Sequence, residues 1–161
     1  MSTFQLILGD CLEKMKKMPD KSVDCVITDP PYGIGEDGGK ARTRGKKKPN
    51  HPKANWDSKI PERIYFDEMR RIGKNQIIFG GNYFTDFLPA SRAWIYWRKL
   101  MGGDFSDGEL IWTSFDCVLK EYTKPNKGFI TKHPTQKPVE IIEYCINRFT
   151  ECHGRFNNTI D

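Results

Sequence analysis

The run from Val23 to Thr28 constrains the fold more than any other part of the sequence. It is a nearly continuous apolar and β-branched stretch, the pattern of a strand that is covered on both faces in a parallel sheet. Before it, Phe4 to Leu8 predicts a short buried strand, and Asp10 followed by Glu13 predicts a capped helix that reaches Met18. This succession of strand, helix and strand predicts an α/β protein.

The rest of the chain alternates in the same way. Pro61 opens a predicted helix that Gly73 closes as a C-cap, and Pro138 opens another. Apolar residues recur at helical spacing on one face of each, at Tyr65, Met69 and Ile72 and at Ile141, Cys145 and Phe149. The predicted strands are Gln76 to Phe79, Ala93 to Trp97, Leu110 to Thr113 and Phe115 to Leu119. We assign Trp94, Trp97 and Trp112 to the core.

The chain has 161 residues, a length that fits a single domain, residues 1–161, with a sizeable core. No apolar run approaches the length of a membrane span. The five cysteines are scattered and never spaced as C-x-x-C, which argues against a disulfide framework and against a zinc site. We therefore expect a soluble cytoplasmic protein with reduced thiols, no bound metal and no membrane partner.

Cations are concentrated in one segment of the chain. Residues 33–55 are rich in glycine, proline and positive charge and have no periodic apolar pattern, so they predict a flexible basic loop. Its cationic side chains are Lys40, Arg42, Arg44, Lys46, Lys47, Lys48 and Lys53. Such a cluster suits the phosphates of a nucleic acid, whose counterions it would release. A solvated loop without a partner is an equally reasonable interpretation.

The strand at Val23 to Thr28 ends in Asp29-Pro30-Pro31-Tyr32. Proline fixes φ and has no N–H group, so this exit from the strand is stiff and leaves the carbonyl of Pro30 pointing outward. A carboxylate and a carbonyl that each accept one N–H of an aromatic amine would free the lone pair of its nitrogen. Tyr32 adds a face on which a base can stack. The motif therefore suits an amino-purine or amino-pyrimidine flipped out of a duplex.

Two motifs in this sequence resemble those of one enzyme family. Asp29-Pro30-Pro31-Tyr32 and the run from His133 to Pro138 are similar to the two hallmark motifs of the beta-type, circularly permuted amino methyltransferases of DNA. The resemblance extends over nearly the whole chain, including Gly9-Asp10-Cys11 and the run from Asn75 to Phe84. It implies a Rossmann-like class I methyltransferase sheet in circularly permuted order, S-adenosylmethionine as cofactor, and double-stranded DNA with a flipped base as partner.

The resemblance also implies roles for individual residues. Asp29, Pro30, Pro31 and Tyr32 would act on the target base, and residues 98–132 would contain a target-recognition segment. Residues expected near the cofactor are Asp10, His133, Thr135, Gln136, Lys137 and Asp161. An acid at the first position of the motif resembles the adenine-N6 branch more than the cytosine-N4 branch, and for methylation of RNA or of a protein amide Asn would be expected in place of Asp29.

Asp161 resembles the entry to the glycine-rich turn that cradles the cofactor in this family, and the rest of that turn is absent from these 161 residues. The expected sheet is therefore incomplete at the C-terminal side. Three interpretations follow: a shortened protein, half of an enzyme that a partner chain or a second copy completes, or a catalytically inactive DNA-binding remnant.

Overall fold

A computed structural model of the protein describes residues 4–37, 54–100, 106–125 and 135–154. These residues form a mixed α/β structure around one open sheet of five strands, in the order β1-β2-β4-β3-β5. The strands are β1 Val23–Thr28, β2 Gly73–Phe79, β3 Ile95–Arg98, β4 Gly108–Thr113 and β5 Lys120–Thr123. The helices are α1 Cys11–Met15, α2 Arg63–Ile72 and α3 Val139–Gly154. The structure is compatible with a Rossmann-like fold.

The sheet is parallel on one side and mixed on the other. β1 pairs with β2 in parallel, whereas β2 pairs with β4 and β4 with β3 in antiparallel fashion. β5 then runs parallel to β3 at the far edge. Because β1 and β2 run in the same direction, Thr28 lies beside Ile78, and the residues that follow these two strands emerge at the same edge of the sheet.

Side chains on the two faces of the sheet belong to different core clusters. Ile77 and Phe79 of β2 pack in one cluster with Ile141 and Cys145 of α3. Ile78, which points to the opposite face of the same strand, packs in a second cluster with buried Phe66 of α2. Trp97 and Trp112 are fully buried and Trp94 is partly buried, so the assignment of these tryptophans to the core is confirmed.

Three of the predicted elements are confirmed with small shifts of their ends. Val23–Thr28 is a strand with the predicted bounds, although as an edge strand it is only partly buried. Asp10 caps α1 through hydrogen bonds from the N–H groups of Leu12 and Glu13, but this helix ends at Met15 rather than at Met18. In α2 the buried residues include Met69 and Ile72, as the spacing predicted.

Gly73 is the C-cap of α2, as the sequence predicted, although its backbone is not left-handed. Its φ of −94° and ψ of 136° are extended values, and it is the first residue of β2, which therefore begins three residues before Gln76. Helix and strand follow each other without a loop, so no left-handed cap is formed.

Two strand predictions are wrong. Phe4 to Leu8 forms no strand, and among these residues Phe4, Leu6 and Leu8 are 88%, 88% and 98% exposed. No strand among the described residues pairs with this apolar run, so its side chains are not buried as the sequence pattern predicted. Phe115 to Leu119 is irregular, and the strand β5 begins only at Lys120, because buried Phe115 and Cys117 are held in the core by α3 and not by a ladder of hydrogen bonds.

The C-terminal helix also corrects an expectation about the thiols. Cys152 of α3 forms a disulfide with Cys117, so these two cysteines are not the reduced thiols that the sequence predicted. Cys25 and Cys145 remain free, and burial raises the pKa of Cys145 to about 12, with a smaller effect of Cys25. Cys145 is therefore a protonated packing residue rather than a nucleophile.

The turn after β2 depends on a glycine, and we expect Gly80→Ala to destabilise the fold. Gly80 has a φ of +66°, and a Cβ at this position would overlap the ring of Tyr32. The left-handed backbone alone costs a residue with a side chain about 1–2 kcal/mol, and the overlap adds to it. Urea unfolding should show a loss of at least this size.

Gly9→Ala is the control for this substitution. Gly9 also has a positive φ, of +139°, but the atoms that a Cβ would meet are the far end of the Lys14 side chain, which can move away. A loss for Gly80→Ala no larger than that for Gly9→Ala would contradict the packing of Tyr32 against Gly80.

Candidate functional site

The candidate site lies at the edge of the sheet where β1 and β2 end. Asp29 follows β1 directly, and the 3₁₀ turn Gly81–Tyr83 follows β2 after Gly80. This is the edge at which open α/β sheets bind ligands, because loops from neighbouring parallel strands diverge there. Pro30 is buried and Pro31 partly buried, so the two prolines fix the course of the chain away from the strand.

Both carboxylate oxygens of Asp29 have a partner. The hydroxyl of Tyr32 donates to Oδ1 at 2.7 Å, and Nζ of Lys137 lies 3.0 Å from Oδ2. The Asp29 side chain is nevertheless 35% exposed, while that of Lys137 is only 10% exposed. Asp29 is therefore a neutralised carboxylate that still faces solvent.

Glu109, near the start of β4, is the buried centre of the same cluster. Its side chain is 7% exposed, and its Oε1 lies 2.6 Å from the hydroxyl of Tyr32 and 3.1 Å from Nζ of Lys137. Its Oε2 lies 2.7 Å from Nζ of Lys99. We call Asp29, Glu109, Lys99 and Lys137 the charge cluster. Two carboxylates and two ammonium groups balance within it.

The buried Glu109 is ionised. Burial opposes its ionisation, but the charges of Lys137 and Lys99 and the hydrogen bonds from Lys99 and Tyr32 outweigh burial and hold the pKa of Glu109 below its usual value. The pKa of Tyr32 is raised strongly, first by burial and then by the charges of Glu109 and Asp29. Tyr32 is therefore a neutral phenol whose single proton lies between two carboxylates.

The ring of Tyr32, like its hydroxyl, is in contact with several neighbours. The ring of Tyr83 stacks on it with centroids 4.8 Å apart and planes inclined by 15°. Phe84 approaches edge-on at 6.1 Å, and Nζ of Lys137 lies over the ring at 5.2 Å from its centroid. Of the two stacked tyrosines, Tyr83 is the exposed one, at 40%.

Asp57 fixes the loop that follows the motif. Its buried carboxylate accepts the N–H groups of Gly33 and Glu36, each at 2.8 Å, and its own carbonyl accepts the N–H of Gly35. The N–H of Ala54 in turn donates to the carbonyl of Asp37 at 3.2 Å. Residues 37 and 54 belong to the basic segment and flank its cations in the sequence, so these two positions are held together next to the loop that Asp57 fixes.

The residues expected near a cofactor are only partly described. Asp10 is exposed and uses Oδ1 to cap α1, and Thr135, Gln136 and Lys137 lie just before α3. His133 and Asp161 fall outside the described residues, as do Lys40, Arg42, Arg44, Lys46, Lys47, Lys48 and Lys53. Within the described residues, no group of three or more His, Cys, Asp or Glu side chains is placed to hold a metal ion.

Glu109 and Lys99 were not predicted from the sequence as site residues. The only signal was a charged residue next to the apolar run from Leu110 to Thr113, and at the end of a strand such a residue is normally exposed. The chain offered no indication that Lys137, 28 positions away, would meet it. The predicted recognition segment, residues 98–132, contains both Glu109 and β5.

Other surface features of the described residues lie apart from this cluster. A cleft of about 580 Å³ is lined by residues that include Pro89, Arg92, Trp112 and Asp116, and none of the charge cluster lines it. None of the helices in the described ranges has the length and apolar character needed to cross a membrane.

Comparison with known proteins finds similarity over a short stretch. Forty residues are 42% identical to the type II methyltransferase M.HinfI of Haemophilus influenzae. The match covers 25% of this chain and 11% of that relative, so the chain spans about a tenth of the length of the curated relative it matches. No protein-family model matches the chain.

Replacing Glu109 by Gln should destabilise the protein and flatten its response to acid. Glu109 has a folded-state pKa below its ordinary value of 4.5. Its contribution is therefore complete above about pH 4.5 and is lost as the pH falls through the lower folded-state value. Removing one partner of a buried ion pair costs about 3–5 kcal/mol. Urea unfolding at neutral pH and at several acidic pH values measures both effects.

Glu121→Gln is the matched control, because Glu121 is 50% exposed and lies 3.9 Å from Arg98. An exposed pair contributes about 0–1 kcal/mol. An acid response of Glu109→Gln equal to that of the wild type would show that Glu109 is not the ionised group described here.

Proposed function

We propose that this chain is the catalytic part of a DNA methyltransferase that acts on the exocyclic amine of adenine. The observation that carries the proposal is the position of Asp29-Pro30-Pro31-Tyr32. A partly exposed carboxylate and an aromatic ring lie at the edge of the sheet where β1 ends, next to the turn that follows β2. The similarity to M.HinfI supports methyl transfer, and the resemblance of the two hallmark motifs supports transfer to a DNA amine and a permuted strand order.

The chemistry follows from the acceptors at the end of β1. The lone pair of an adenine amine is delocalised into the ring, which makes the amine a poor nucleophile. Asp29 would accept one N–H of the amine and the carbonyl of Pro30 the other, which favours a tetrahedral nitrogen with its lone pair available. Asp29 also stabilises the positive charge that develops on the nitrogen, and a proton leaves after the methyl group has arrived.

The carboxylate of Asp29 already has two partners, Tyr32 and Lys137. Each carboxylate oxygen has two lone pairs, and Tyr32 and Lys137 each use one oxygen, so an amine N–H can bind to the same carboxylate without displacing either partner. Lys137 weakens the attraction of Asp29 for the amine. At the same time, it compensates the charge of the carboxylate in a partly buried position.

S-adenosylmethionine would supply a methyl group on a sulfonium, and the residues present fit one end of it. Lys137 and the N–H groups at the start of α3 suit a carboxylate, since the N-terminus of a helix and an ammonium group both attract an anion. Because Lys137 already contacts two carboxylates, it would bind a third through its remaining donor capacity. We also assign three other described residues to cofactor binding: Thr135, Gln136 and Asp10. His133 and Asp161, which fall outside the described residues, complete this set.

Double-stranded DNA is the proposed partner. Asp37 and Ala54, between which the cations of the basic segment occur in the sequence, are joined by a hydrogen bond next to the loop that Asp57 holds. We infer that these cations contact phosphates next to a flipped base. Phosphate contacts position a protein on DNA without reading its sequence, and the recognition segment within residues 98–132 would read it.

A second candidate is half of an enzyme that is completed by another chain, either a partner or a second copy. β1 lies at an edge of the sheet formed by the described residues, and the apolar run from Phe4 to Leu8 is exposed. Unpaired edges and exposed apolar segments favour association. Calorimetry separates the candidates: DNA binding without S-adenosylmethionine binding supports the half-enzyme or an inactive remnant, and binding of both supports the complete site.

Asp29→Ala should lower methyl incorporation into unmethylated DNA by about 100-fold or more, as does the loss of one electrostatic group in other active sites. DNA affinity should stay within a few fold, because Asp29 contacts no phosphate in this mechanism. Transfer of labelled methyl groups and a filter-binding assay measure the two quantities.

Asp24→Ala is the matched control, since Asp24 lies near the opposite end of β1 and its exposed side chain pairs with Lys74. Equal loss of transfer in both variants would indicate damage to β1, and unchanged transfer in Asp29→Ala would refute the role of Asp29.

The charge of the basic segment should control the salt dependence of DNA binding. With Lys46, Lys47 and Lys48 replaced by Ala, the slope of log affinity against log salt concentration should fall by about 0.9 for each phosphate contact that is lost. The loss should be similar for all DNA sequences. Replacing Lys14, Lys16 and Lys17 near α1 removes the same charge, and an equal change in slope there would show that only net charge matters.

A further inference from the structure

Tyr32 has one face that can be vacated. Its hydroxyl is held by Asp29 and Glu109, and Lys137, which lies over its ring, is fixed by ion pairs to the same two carboxylates. The stacked ring of Tyr83 is different, because it is 40% exposed. Among these neighbours of Tyr32, the ring of Tyr83 is therefore the easiest to displace.

The geometry of this stack is that of a base on an aromatic ring. Ring centroids 4.8 Å apart and planes inclined by 15° are typical of offset stacking. A base that replaced Tyr83 on the ring of Tyr32 would lie one ring thickness away from that ring. The hydroxyl of Tyr32 is 2.7 Å from Asp29. A base stacked on the outer side of Tyr83 would lie two ring thicknesses away, too far for its amine to reach that carboxylate.

The backbone under Tyr83 is firmly packed. Gly80 abuts the ring of Tyr32, and Gly81 packs against Trp112 and Trp94 so closely that neither glycine has room for a Cβ. Phe84, the residue after Tyr83, is 1% exposed. A change at Tyr83 is thus confined to rotation of its side chain, which is fast for an exposed residue.

We propose that Tyr83 occupies the base-binding face of Tyr32 in the resting protein and swings out when the flipped base enters. This inference rests on the proposed function and deepens it. Tyr83 is then a gating residue that competes with the base, and it sets how readily an unpaired base is accepted.

The test compares two single strands of equal length, oligo(dA) and an abasic strand, by fluorescence anisotropy on the full chain. Both strands offer the same phosphates, so the ratio of their affinities reports the contribution of the bases. Tyr83→Ala should raise the ratio about two- to tenfold, which corresponds to the stacking of one aromatic pair. Affinity for the abasic strand should not change.

Three further variants complete the test. Tyr83→Leu, which keeps apolar bulk without an aromatic face, should raise the ratio as Tyr83→Ala does, and Tyr83→Phe should keep the wild-type ratio. Tyr144→Ala removes a comparable stack, Tyr144 on Tyr122 at 4.5 Å, by a change on α3 outside the recognition segment and should leave the ratio unchanged. Thermal unfolding verifies that each variant is folded.

The possible outcomes separate the two proposals. A lower ratio in Tyr83→Ala would make Tyr83 a stacking platform, and an unchanged ratio would make it a packing residue. Either result overturns the inference while leaving the function standing, provided that the wild type prefers oligo(dA). A wild type that binds neither these strands nor double-stranded DNA overturns the proposed function and the gate together.

Discussion

The contact between Asp29 and Lys137 joins parts of the chain that are more than a hundred positions apart, and the candidate site depends on it. Lys137 is tied to Asp29 at 3.0 Å and to Glu109 at 3.1 Å, with the hydroxyl of Tyr32 between the two acids. Partly or fully buried charges are tolerated only when they are paired and hydrogen-bonded. The cluster therefore fixes the end of β1, the start of β4 and the start of α3 relative to one another.

The charge cluster fixes the side chains of the site without closing it to solvent. The cluster holds Asp29 through Tyr32 and Lys137 and keeps Tyr32 as a protonated donor, while Asp29 remains accessible at its outer side. The loop that follows is fixed by the carboxylate of Asp57. Because the groups around it are rigid, the exposed side chain of Tyr83 is the part of the site that can move. This arrangement is expected of a site that must admit a large planar ligand.

Local patterns in the sequence were sufficient for most of the helices and strands. Val23–Thr28 was predicted with its observed bounds because an apolar, β-branched run followed by two prolines has few alternatives. The face of α2 that carries Met69 and Ile72 was predicted by its helical spacing. Phe4 to Leu8 failed because an apolar run becomes a buried strand only if a neighbour pairs with it, and the described residues provide none.

The sequence by itself determined the stiff exit from β1, with its acid, its two prolines and its ring, since proline restricts φ whatever surrounds it. It also determined the resemblance that points to methyl transfer. Only the tertiary structure decided that Glu109 is buried, that Lys137 neutralises Asp29 and that Tyr83 covers Tyr32. These contacts join residues distant in the chain, and their energies depend on burial and on distances that no local pattern encodes.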